Sequence, residues 1–265
     1  MDNYIKEIKK GILDMHYLSQ DSHIGSALSC VDIVAVLYFK IMNIDPKNPN
    51  KKNRDRFIMS KSHAVSALYA VLAEKGFFTK SLIKTYCQNK SKLPGHATKG
   101  SVPGIEASTG SLGHGIPIAI GMALAGKRDA NDYRIFVLIS DGECEEGTTW
   151  ESALFASQHK LDNLIVIIDY NKLQALGKTN EVLNLEPLKE KWLSFGWQTK
   201  EIDGHNLSQI EKTLKSLPFE KDKPSVVIAN TIKGKGLPTM EGKLESHYRS
   251  PDKEERDLFL KNLKN

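Results

Sequence analysis

The chain has 265 residues, 40% of them hydrophobic and 26% charged, with a formal charge of +5. This composition is ordinary for a soluble globular protein, and the length fits one large domain or two small ones. No apolar run approaches the ~20 residues of a membrane helix, and the lysines are dispersed with no aromatic interleaving, which argues against membrane and nucleic-acid partners.

Cys30, Cys87 and Cys144 are odd in number and far apart, which fits reduced thiols and no disulfide framework or zinc site. The N-terminal stretch MDNYIKEIKK has no apolar core of the signal-peptide kind. Together these features give the expectation of a cytoplasmic protein.

In chain order, Tyr4–Ser19 carries Ile5, Ile8, Ile12, Met15 and Leu18 on one helical stripe. Ala27–Met42 is a second helix, apolar on more than one face and expected to be buried in the domain or under a partner. Arg56–Ser60 reads as a strand end, Ala64–Lys75 as a helix stopped by Gly76, and Thr79–Asn89 as a short helix. Lys92–Gly115 is a long irregular stretch rich in Gly, Pro, Ser and His, of the sort that is functional or disordered. Its end, Gly110-Ser111-Leu112-Gly113-His114-Gly115, runs into a helix over Ile116–Lys127, where backbone N–H groups can meet an anion.

Next comes the unit that organises the chain. Arg134–Ser140 and Leu164–Tyr170 are apolar strands joined by a helix over Thr148–Lys160, a βαβ unit whose strands should be parallel. Ligands of such sheets bind beyond the strands' carboxyl ends. Asp141 and Asn171 stand at those two ends, thirty residues apart. A carboxylate and an amide oxygen together suit Mg²⁺ or Ca²⁺. Beyond this unit, Leu185–Phe195 is amphipathic, Trp197–Ile202 and Ser225–Asn230 read as strands, and Leu207–Leu217 as the helix between them. The alternation predicts one α/β domain over 1–265, a doubly wound, mainly parallel sheet with helices on both faces.

His23, His63, His96 and His247 sit in turns with Gly or Ser nearby. No pair has zinc-motif spacing, so a histidine-lined polar pocket is favoured over a histidine metal site. His16, His114, His159 and His205 read as ordinary structural or surface residues. No Gly-x-x-x-x-Gly-Lys-Ser/Thr spacing occurs, which removes a P-loop nucleotide binder.

The blocks SHIGSALSC, NRDRFIMSKSHAVSALYAVLAEKG, LPGH, PGIEASTGSLGHGI, SDGECEEGTTWE, LDNLIVIIDYN and TIKGKG, in this order, resemble the diphosphate-binding N-terminal domain of transketolase. The resemblance implies a thiamine diphosphate-binding fold, thiamine diphosphate with Mg²⁺, and transfer of a two-carbon ketol unit from a ketose to an aldose. It implies Asp141, Asn171 and the Leu173 carbonyl as metal ligands. Gly142 would admit the diphosphate, and His63 and His247 would contact the diphosphate and substrate region. Gly110, Ser111 and Leu112 would lie against the aminopyrimidine. His23 and His96 would face substrate hydroxyls, with His247 a third catalytic histidine, and Glu146 would stand at a subunit interface.

Three positions depart from the family pattern: Ser140 replaces a glycine before Asp141, and Ile24 and Ser111 replace prolines. A whole transketolase is more than twice as long. The half not represented carries the glutamate that activates the aminopyrimidine and the arginines that read sugar phosphates. The resemblance therefore implies a pyrimidine-binding C-terminal partner subunit, two of each, with apolar faces expected on Ala27–Met42 and Thr148–Ser157. Another thiamine diphosphate-dependent carboligase or decarboxylase subunit, or a non-catalytic scaffold subunit, stays open at this point.

Overall fold

A computed structural model describes residues 1–264, so Asn265, the last residue of the expected domain, lies outside the described residues. Helix α1 (Asp2–Ser19) buries the expected Ile5, Ile8, Ile12 and Met15, while Leu18 is left half exposed. It stops at Gln20, which turns left-handed and returns its N–H to the His16 carbonyl. Helix α2 (Ile24–Val36) continues through a π-helical turn, Leu37–Ile41.

Every residue of α2 is buried, packed by α1 and by elements that follow it. The expected burial within the domain is therefore met. Ile24–Ile41 spans 18 residues at mean hydropathy 1.8, enough by length and composition to cross a bilayer, yet 83% of it is buried inside this fold. The same packing leaves α2 no apolar face free for a partner, which corrects that expectation, and beyond it Phe39, Ile41 and Met42 pack partly buried against the core.

Strand β1 (Arg56–Met59) leads into α3 (Val65–Lys75), which Gly76 ends at φ 94°. The helix expected over Thr79–Asn89 is only a 3₁₀ segment, Lys80–Thr85, with none of its residues buried. Only Leu82 and Ile83 of this segment pack, partly buried, against the core, which leaves a longer helix little packing to stabilise it. Then follow α4 (Gly115–Arg128), β2 (Ile135–Ser140), α5 (Gly147–Gln158), β3 (Leu164–Tyr170), α6 (Thr179–Val182) and α7 (Leu188–Ser194). The chain closes with β4 (Gln198–Asp203), α8 (Leu207–Lys215), β5 (Ser225–Asn230) and α9 (Lys253–Lys264). Helix α7 starts later than the amphipathic pattern from Leu185 suggests, because Pro187 occupies its N-cap.

The five strands run β1-β2-β3-β5-β4 and every pairing is parallel. Their side chains alternate between two cores. Phe57, Phe136, Leu138, Ile165, Ile167 and Val227 point to the layer of α1, α2, α3 and α8. Ile58, Val137, Leu164, Val166 and Val226 point to the layer of α4, α5 and α7. Because both faces are covered, the central strands β2 and β3 are mainly apolar and buried along their whole length, whereas the edge strand β4, QTKEID, is polar and partly exposed. The fold is thus the expected α/β sheet with helices on both faces. Register pairs Ser140 with Asp169 and Tyr170 with Asn230, so the residues after β2, β3 and β5 emerge at one edge.

Candidate active site

That edge opens into a cleft of about 360 Å³. Asp141 enters it directly after β2, and its carboxylate is anchored by two backbone amides. Oδ1 accepts from Gly142 N–H at 2.9 Å and Oδ2 from Lys172 N–H at 2.8 Å. Burial, reinforced by the Asp169 carboxylate, raises its pKa to about 7. A carboxylate so placed lacks a compensating cation in contact with it.

Asn171 follows β3. Its amide nitrogen faces inward to Asp169 and to Ser29 Oγ, each at 3.4 Å, and its Oδ1 accepts from Leu173 N–H at 3.0 Å. Lys172, at φ 63°, turns the chain so that Leu173 also lines the cleft. The Leu173 carbonyl accepts from the Lys233 ammonium at 3.0 Å. A carboxylate, an amide oxygen and a backbone carbonyl thus converge as hard oxygen donors suited to Mg²⁺. Among the described residues no group of three His, Cys, Asp or Glu offers a rival metal site.

The network that sets Asn171 went unread in the sequence. Asp169 is fully buried and receives hydrogen bonds from Lys61, Ser29 and Thr231. Burial pushes its carboxyl up, but Lys61 outweighs this and holds it below the usual carboxylate range. An acid inside the apolar run LIVIIDY was the available signal. Glu143 is a second buried carboxylate. It accepts from Ser60 Oγ, from Gly113 N–H at 3.1 Å and from Ser140 N–H at 2.9 Å, tying the Gly-rich turn to the end of β2. Ser140 is absent from the positive-φ residues, so the serine costs this turn nothing.

The four loop histidines meet. His23 lies 5.4 Å from His63, 6.3 Å from His96 and 4.8 Å from His247 between ring centroids. His23 caps α2 at φ 77°, and its N–H donates to the His247 carbonyl at 3.0 Å, which brings residues far apart in sequence together. Burial, helped by Lys233 in the case of His247, keeps the His23, His63 and His247 rings neutral. His247 falls to about 3, while His63 drops well below and His23 below the usual histidine value. Lys233 was also missed in the sequence. Burial and the nearby Lys61 lower it to about 8, and its Nζ meets His247 Nδ1 at 2.9 Å.

Gly110, Leu112, Gly142 and Glu146 line the cleft, whereas Ser111 is exposed and does not. Glu146, the N-cap residue of α5, stands exposed at the rim. Gly113, at φ 78°, is needed where it stands, since a Cβ there would crowd Thr148 and Glu146. Of the histidines read as ordinary, His114 and His159 are exposed and His16 is buried against Ser66, 2.8 Å away.

A polar cleft with an oxygen-donor edge, a buried lysine and four histidines suits a phosphorylated organic cofactor. The family model described as transketolase, thiamine diphosphate binding domain, matches residues 2–262. This chain belongs to the transketolase family.

Among its relatives, one of the subunits of the apulose-4-phosphate transketolase of Phocaeicola vulgatus is 43% identical over 96% of this chain and 90% of that protein. The 6-deoxy-6-sulfo-D-fructose transketolase subunit SqwG of Clostridium sp. (strain MSTE9) is 46% identical over 85% of this chain and 82% of its own length. The transketolase of Campylobacter jejuni superimposes with a TM-score of 0.91 at 32% identity, covering 99% of this chain and 42% of that one. The chain therefore spans about two-fifths of that longer transketolase and most of the length of the two relatives named as subunits. It is an N-terminal transketolase subunit, the thiamine diphosphate-binding part of an enzyme that transfers ketol units.

Proposed function

We propose that the cleft binds thiamine diphosphate through Mg²⁺, and that the chain works as one subunit of a two-subunit transketolase in the cytoplasm. The observation that carries this reading is the convergence of Asp141, Asn171 and the Leu173 carbonyl beside Lys233. Asp141 buries a charge with no cation against it, and the oxygen set has the chemistry Mg²⁺ selects. Gly142 lets the backbone approach the diphosphate, and Lys233, His63 and His247 give it cationic and hydrogen-bonding partners. Gly110 and Leu112 border the ring end. Ser111, being exposed, is the weakest member of the expected set.

When bound, thiamine diphosphate supplies the electron sink for cleaving and forming the ketol's carbon–carbon bond. The chain's own part is positioning and proton traffic. Neutral His23, His63 and His247, with His96 at the mouth, present ring nitrogens that can exchange protons with substrate hydroxyls. Among the described residues, Asp141 is the one buried acid lining the cleft, and it is given to the metal, which supports the need for a second, pyrimidine-binding polypeptide to act on the aminopyrimidine. Leu154 and Phe155 on α5, exposed by 60% and 42%, supply apolar surface for it, and two copies of each chain complete the proposed assembly. The names of the relatives point to ketoses carrying a phosphate or sulfonate as substrates. Co-purification with the product of a partner gene, followed by ketol transfer assays on phosphorylated and unphosphorylated ketoses, tests this. Ketol transfer by this chain alone would refute the split arrangement.

A further inference from the structure

Outside the cleft, a second network grips the segment that carries Lys233. Asp32 is the one charged side chain of the wholly buried α2, and it is 3% exposed. Its carboxylate meets His205 Nδ1 at 2.9 Å and the Lys9 ammonium at 2.9 Å. His205 lies in the Gly204-His205-Asn206 turn between β4 and α8. Its other ring nitrogen, Nε2, accepts the backbone N–H of Ile232 at 2.9 Å. A backbone amide can only donate, so Nε2 bears the lone pair and Nδ1 carries the proton given to Asp32. The imidazole is fixed from both sides in one neutral tautomer.

The turn is itself locked. Gly204 N–H donates to the Asn230 carbonyl at 2.8 Å, and a Cβ on Gly204 would collide with Thr231. One residue beyond Lys233, Gly234 N–H donates to the Gly25 carbonyl at 2.9 Å. Ile232 and Lys233 are thus held between His205 on one side and the start of α2 on the other. The Ile232 side chain is partly exposed, so its packing does little to hold this peptide; the carbonyls of Ile232 and Lys233 accept from the Lys235 and Gly242 N–H groups, and the imidazole alone receives the Ile232 N–H.

We propose that His205, oriented by Asp32, is a positioning residue that fixes the Ile232 peptide so that Lys233 projects into the cleft toward the diphosphate end of the cofactor. This rests on the reading of the cleft as a diphosphate site. It extends the site to a histidine and an aspartate that touch neither cofactor nor substrate.

The test compares the wild-type chain with His205→Gln, His205→Asn and Asp32→Asn. Three readouts are used: calorimetric binding of inorganic pyrophosphate with Mg²⁺, hydrogen exchange of the Ile232 amide, and the thermal midpoint. A glutamine amide oxygen reaches about where Nε2 stands and can accept from Ile232, whereas asparagine reaches only the Nδ1 position. His205→Asn should speed Ile232 exchange and weaken pyrophosphate binding about tenfold, a change of ~1.4 kcal/mol. His205→Gln should restore both to near wild type. Asp32→Asn, which frees the ring to flip, should fall between them.

Equal pyrophosphate affinity in folded His205→Asn and wild type would overturn the proposal. So would losses in Gln and Asn variants that merely track their thermal midpoints. If wild type itself binds no pyrophosphate, the diphosphate reading fails instead, and the Ile232 exchange pattern still decides whether His205 anchors the segment.

Discussion

The Lys233 ammonium donates to the Leu173 carbonyl at 3.0 Å. In the proposed site that carbonyl is also a ligand of Mg²⁺, so lysine and metal draw on the same oxygen. An arriving diphosphate gives Lys233 a better, charged partner and frees the carbonyl. Mg²⁺ alone should therefore bind weakly, and Mg²⁺ with pyrophosphate cooperatively. Lys233→Met should strengthen binding of Mg²⁺ alone and weaken binding of Mg²⁺–pyrophosphate by about tenfold or more, about 1.4 kcal/mol, measured by calorimetry.

Asp141 yields a prediction with a pH sign. Its folded pKa, raised to about 7, lies above the unfolded value of 3.8, so the folded chain holds a proton that the unfolded chain has lost. Stability without metal should then fall as pH rises from about 4 to about 7, by on the order of 4 kcal/mol at most. Asp141→Asn removes this slope. Its thermal midpoint should exceed wild type at pH 8 in the absence of metal, while stabilisation by Mg²⁺–pyrophosphate is lost. Thermal melts at pH 5 and pH 8, with and without ligand, check both halves.

His16 behaves in the opposite sense. Burial lowers its pKa to about 4, and the neutral ring bridges Ser66 Oγ and the Asp21 carbonyl. A depressed histidine contributes stability that is present above its ordinary value of 6.5 and is lost as pH falls toward 4. The loss should be on the order of 3 kcal/mol, and His16→Gln should flatten it in acid unfolding followed by circular dichroism. Because Asp21 precedes the Ser22-His23 turn, the same acid range should loosen the histidine cluster.

The buried Lys61–Asp169 pair holds Asn171 from below. Removing one partner strands the other charge, so Asp169→Asn and Lys61→Met should each destabilise the chain by about 3–5 kcal/mol in urea titrations. Replacing both together should cost less than the sum of the two.

Leu154 and Phe155 lie exposed on α5, and their replacement by serine should leave the isolated chain within about 0.5 kcal/mol of wild type. In the proposed assembly the same change should weaken co-purification of the partner. Size-exclusion chromatography of the mixed subunits gives the readout.

The frame of the site is legible in local sequence pattern. The apolar runs of β2 and β3, the helix between them and the thirty-residue spacing of Asp141 and Asn171 put both side chains at one sheet edge. Local pattern suffices there, because an apolar run of strand length followed by a helix and a second such run is a short-range signal of two parallel strands. The gathering of His23, His63, His96 and His247 was expected as a pocket, but its distances came only from folding. Folding brings Lys61 to Asp169, Lys233 to the Leu173 carbonyl, and His205 between Asp32 and Ile232. It also buries the whole apolar surface of α2 inside this chain. Each of these pairs elements distant in sequence, and no periodicity encodes which buried polar group will face which. Burial makes an unpaired charge or amide costly, so the fold that satisfies them all fixes the site.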